Sequence, residues 1–147
     1  MKNVRLYAAA GAVLALDRLS KLLWGESRAV LIPGVLALRG VRNTGMAFGW
    51  LPGGAWLLIP LALAAAGGFV LYARRHPLNR LCQYGGGLML GGALGNLLDR
   101  VLLGYVIDFI DPVFLDWFVF NIADAGITVG AALLMIHLLF GKEEKHT

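Results

Sequence analysis

The chain has 147 residues, 59% of them hydrophobic, and its 13 Lys and Arg against 9 Asp and Glu give a formal charge of +4. One domain fits that length, and the apolar share exceeds the roughly 45–50% of a soluble domain; with a mean hydropathy of +0.71 this excludes an ordinary soluble protein and points to an integral membrane protein. The positive charge does not indicate nucleic acid, because the basic residues sit at the ends of apolar segments rather than in an aromatic-interleaved patch, and a lone Cys82 excludes an intrachain disulfide framework.

The first apolar segment covers residues 4–24. Its basic start and apolar run resemble a secretory signal, but the run passes into Asp17-Arg18-Leu19-Ser20-Lys21 without a small-residue cleavage site. It therefore reads as an uncleaved membrane helix. The linker over 25–52 is too long for a tight turn; AVLI and VLALRGVR, split by Pro33-Gly34, predict a small β-hairpin outside the membrane. Asn43-Thr44-Gly45 marks a turn, and residues 46–50, which end in Trp50, are assigned to the membrane interface.

The second segment, 53–73, carries no charge. The third, 81–103, holds Gln83, Asn96, Asp99 and Arg100, and its glycines at 85–87, 91, 92 and 95 permit close helix packing. An outer loop over 104–116 follows, with a turn signal at Asp111-Pro112, and the fourth segment, 117–140, holds Asn121, Asp124 and His137. Each segment approaches the roughly 20 residues that cross a bilayer core. The expected fold is thus a membrane all-α domain spanning 1–147, with four transmembrane helices and a small extracytoplasmic β-hairpin between the first two. Lys2, Arg5, Arg74, Arg75, Arg80, Lys142 and Lys145 gather on one side, which the positive-inside rule makes cytoplasmic with both termini.

In that topology Asp17 and Lys21, Asn96 with Asp99 and Arg100, and Asn121 with Asp124 all fall in the outer leaflet, and Asp108 approaches from the loop. A charge at mid-bilayer costs about 2.5–3.5 kcal/mol or more, so ionisable groups in such segments are functional by default. Spacings of three and four place Asn96, Asp99 and Arg100 on one helix face, and Asn121 with Asp124 on another. His76, His137 and His146 lie toward the cytoplasmic side, so no Ser–His pair is available, and neither HExxH nor a cysteine cluster offers a metal site; no metal and no cofactor are expected. Paired carboxylates remain: two close aspartates share a proton and divide into an acid and a base able to activate water.

DRLSK (17–21), NTGMAFG (43–49), GGALGNLLDR (91–100), VIDF (106–109) and FNIADAGI (120–127), in that order, resemble the signatures of the signal peptidase II family, the lipoprotein signal peptidases. The resemblance covers nearly the whole chain. It implies an aspartic endopeptidase of the bacterial inner membrane that cuts diacylglyceryl-modified prolipoproteins before the lipidated cysteine. It also implies that Asp108 and Asp124 are catalytic, that Asn43, Gly45, Asn96, Asp99, Arg100, Asn121 and Ala123 line or support the site, and that Asp17 and Lys21 form a structural pair. Its expected partners are lipidated substrates and membrane lipids, with no nucleic acid, and the enzyme is expected to act as a monomer.

On side-chain chemistry alone other readings stay open. Asp99 and Arg100 also fit an interfacial ion pair, Asp124 a packing carboxylate paired with Arg100 or Lys21, and the asparagines interhelical hydrogen bonds. Asp111 reads as solvated or as a helix cap. A proton-coupled transporter would spread its acids through the bilayer and tends to show repeats; an assembly factor would explain the glycines but not two acids beside Asn and Arg donors.

Overall fold

A computed structural model of the chain describes residues 3–45, 55–115 and 118–140. The expected interface segment 46–50, Asp116 with Trp117, and the tail beyond 140 lie outside the described residues. Four long helices, α1 (Val4–Trp24), α2 (Ala55–Arg75), α3 (Arg80–Leu103) and α4 (Ile122–Phe140), dominate the chain. Two stretches, Leu58–Arg75 and Ile122–Phe140, are long and apolar enough to cross a membrane; α1 and α3 instead bury Asp17, Ser20 and Lys21, and Gln83, Asn96 and Asp99.

α3 is the central helix, packed against the other three. Small residues allow this. A methyl at Gly91 would strike the Ala10 carbonyl oxygen and come within 2.9 Å of Val13 Cβ, so α1 and α3 approach to backbone contact. Leu6, Ala10, Ala73 and Leu90 form the buried apolar cluster where α1, α2 and α3 meet. At one end of the bundle Asn3 Nδ2 donates to the Ala73 and His76 carbonyls at 2.6 and 3.0 Å, and its Oδ1 accepts from Leu78 N at 2.9 Å. Asn79 caps α3 by accepting from Cys82 N and lies 3.1 Å from the His137 ring of α4. Arg5, Arg74, Arg75 and Arg80 therefore gather at that end, and the buried acids lie at the other.

The expected hairpin forms, as β1 (Arg28–Ile32) and β2 (Leu36–Asn43) in antiparallel register. The expected outer loop over 104–116 is corrected: residues Val106–Pro112 form a third strand, β3, antiparallel to β2, so the sheet has the order β1-β2-β3. VIDFIDP hides its strand because both of its acids are buried and spaced by three, which breaks the alternation of a half-buried strand. A register shift between Leu38 and Val41 places an irregularity in β2 opposite Phe109, next to the Val41–Asp108 pair, the kind that re-aims side chains beside functional sites. Asp111 is buried, not solvated, and its Oδ2 accepts from Arg39 Nε at 2.6 Å. The start expected for the fourth helix is also corrected. Residues 118–121 are not helical, and Phe120 bridges Ile110 of β3 before α4 begins at Ile122.

Candidate functional site

Two elements carry the acids singled out by the sequence. Asp124 sits in the first turn of α4, where its charge suits the positive end of the helix. Asn121 precedes that helix: its Oδ1 accepts from Asp124 N at 2.9 Å, while Asp124 Oδ2 accepts from Asn121 N at 3.3 Å. This is a reciprocal capping box written by N-x-x-D, and it fixes the Asp124 rotamer by local backbone chemistry. Asp108 comes from β3, 3% exposed. Asn43, paired with Val106 on the neighbouring strand, donates to Asp108 Oδ2 at 3.0 Å, and its own Oδ1 accepts from Gly45 N at 3.0 Å in an Asx turn that holds the amide in place.

The two carboxylates are joined through amides. Asn121 Nδ2 donates to Asp108 Oδ1 at 2.7 Å and to Asn96 Oδ1 at 3.1 Å; Asn96 Nδ2 donates to Asp124 Oδ1 at 2.7 Å. A continuous path of hydrogen bonds thus runs Asp108–Asn121–Asn96–Asp124, with Asn121 wholly buried. Burial pushes the Asp108 carboxyl up to about 6, and the neighbouring charge of Asp124 adds to the rise, while Asn43 and Asn121 oppose it. A carboxyl so placed keeps its proton into mildly acidic pH beside a second carboxylate, an arrangement suited to combined acid and base work.

The remaining expected residues fall around this path. Arg100 donates to the Asn96 carbonyl at 3.3 Å and to the Gly45 carbonyl at 3.4 Å, tying the Asx turn to α3. Ala123 is fully buried, and its N–H donates to Asp17 Oδ1 at 3.0 Å. Lys21 pairs with Asp17 at 3.0 Å, and also with Asp99 at 2.7 Å and Asn96 Oδ1 at 3.2 Å. The reading of Asp99 with Arg100 as an ion pair is not what forms: Asp99 pairs with Arg18 at 2.6 Å and with Lys21. Among the described residues Asp124 accepts from the Asn96 side-chain amide and the Asn121 backbone N–H and forms no ion pair with Arg100 or Lys21. Arg18 went unassigned in the sequence; the signal was its place between Asp17 and Lys21 in an otherwise apolar run.

Comparison with known proteins gives a consistent picture. The family model described as Signal peptidase (SPase) II matches residues 9–140. A lipoprotein signal peptidase of Geobacillus thermodenitrificans is 43% identical, covering 95% of this chain and 92% of its own length. One from Syntrophomonas wolfei is 46% identical over 90% of this chain and 92% of its own. A solved structure described as a bacterial membrane enzyme, obtained by the in meso method at 2.3 Å, superposes with a TM-score of 0.85 at 32% identity, covering 97% of this chain and 93% of that one.

Proposed function

The chain belongs to the signal peptidase II family, a family of membrane proteases, and from that premise we propose that it is an aspartic endopeptidase with Asp108 and Asp124 as its dyad. Its substrates are diacylglyceryl-modified prolipoproteins, cut just before the lipidated cysteine. Four helices span the bacterial inner membrane, both termini are cytoplasmic, and the dyad faces the outer leaflet, where a lipid-bearing substrate presents its scissile bond near headgroup level. The enzyme works as a monomer, without metal or cofactor.

The ionised aspartate takes a proton from water as the water oxygen bonds to the scissile carbonyl carbon. The protonated aspartate donates to the carbonyl oxygen, which gives a tetrahedral intermediate. Collapse breaks the C–N bond, and the departing amine takes a proton from the dyad. Asn43, Asn96 and Asn121 hold the two carboxyl groups at fixed angles, with Arg100, Asp99, Gly45 and Ala123 supporting them. The β1–β2 hairpin clamps the substrate from outside, a role the sequence also offers to Phe48–Trp50, which lie outside the described residues; turnover unchanged by hairpin deletion would remove that role.

The observation that carries this reading is the amide-linked path from Asp108 to Asp124. The test is cleavage of a lipidated precursor in detergent by the parent enzyme, Asp108→Asn and Asp124→Asn. Each substitution lowers kcat by about a thousandfold or more while the protein stays folded, and a chelator has no effect. Retained cutting by both variants would refute the dyad.

A further inference from the structure

Behind the dyad, α1 and α3 bring together four charges, the buried Asp17, Lys21 and Asp99 and the partly exposed Arg18. Both acids are 0% exposed. Arg18 bridges them, NH2 to Asp17 Oδ2 and NH1 to Asp99 Oδ1, each at 2.6 Å, and NH2 also donates to the Gly95 carbonyl at 3.0 Å. The space for this is provided by Gly95, where a methyl would come within 2.7 Å of Asp17 Oδ2.

The second oxygen of each acid does something the ion pairs do not require. Asp17 Oδ1 accepts from Ala123 N at 3.0 Å, and Asp99 Oδ2 accepts from Ile107 N at 3.1 Å. Ala123 and Ile107 immediately precede Asp124 and Asp108. One carboxylate therefore holds an otherwise orphaned N–H in the first turn of α4, and the other holds the start of β3, while a single planar guanidinium joins the two carboxylates.

Resting on the peptidase reading above, we propose that Arg18 is a positioning residue: by bridging Asp17 and Asp99 it sets the separation and angle of the Asp108 and Asp124 carboxyls without touching either. Lys21 reinforces the cluster and also orients the Asn96 amide, since its ammonium occupies the oxygen side and leaves Nδ2 to Asp124. A lysine in place of Arg18 keeps the charge but lacks the two-pronged fork. Because the Arg18 side chain is 33% exposed on a groove of about 700 Å³ walled by Leu22, Leu102 and Ile107, shortening it opens no enclosed void.

The test measures kcat and KM of the full-length enzyme, Arg18→Gln and Arg18→Lys on a lipidated precursor, with kcat referred to folded protein from a melting curve taken through the assay temperature. Arg18→Gln lowers kcat about ten- to a hundredfold, the scale expected of ångström misplacement of reacting groups, with KM within twofold; Arg18→Lys recovers part of the loss. Arg18→Gln with parental kcat per folded molecule, even if its melting temperature drops, overturns the proposal. Should Arg18→Gln not fold, Arg18→Lys decides: reduced kcat supports the positioning role and parental kcat overturns it. An inactive parent enzyme would instead refute the peptidase reading itself.

Discussion

At the scale of single residues the site turns on what burial does to Asp108. Its folded carboxyl is pushed up to about 6 from an ordinary 3.8, a preference for the protonated form of about 3 kcal/mol. The sign follows from linkage: between those two values the folded state binds more protons than the unfolded one, so this group's contribution to stability is full below about 4 and is lost as pH rises through about 6. Asp108→Asn removes that slope. Melting curves of parent and variant in detergent from pH 4 to 7.5 therefore diverge in the variant's favour by about 2 kcal/mol; parallel curves would contradict the burial argument. The residue types at the site were legible as sequence, because an acid or amide in so apolar a chain has few structural excuses. Their pairing was less so. Asp99 and Arg100 are adjacent, yet α3 turns them to different neighbours, Asp99 toward α1 and Arg100 toward the Gly45 turn.

At the scale of elements, helix packing depends on the absence of side chains along α3. Gly91→Ala forces a methyl against the Ala10 carbonyl and lowers stability by about 1–3 kcal/mol. Gly11→Ala, with nothing within 4 Å of the added methyl, is neutral or stabilising by up to about 1 kcal/mol from helix propensity. Thermal melting of the two variants separates close packing from composition, and equal effects would dismiss the contact. The helices and the hairpin could be read from hydropathy, Pro33-Gly34 and the charged flanks. β3 could not, because its defining signal is pairing with β2 across a long stretch of chain, and its two buried acids look like a loop when seen locally. The start of α4 escaped for a related reason: Trp117, Phe118 and Phe120 are as apolar as the helix they precede, and only the N-x-x-D capping box marks the boundary.

At the scale of the whole molecule, the ends of the bundle are chemically distinct. Asn3 and Asn79 collect with Arg5, Arg74, Arg75 and Arg80 at one end, and the buried acids with their amide partners at the other, where β3 carries Asp108. Helix α1 donates no carboxylate to the proposed dyad, yet through Asp17 it secures the backbone of Ala123, and through Lys21 the amide of Asn96. The contribution of α1 is thus one of contact, which a split chain tests. A fragment comprising residues 77–147 contains both aspartates and should be inert on its own. Co-expression with residues 1–76 should restore cutting by complementation, and the same partner bearing Asp17→Ala should not.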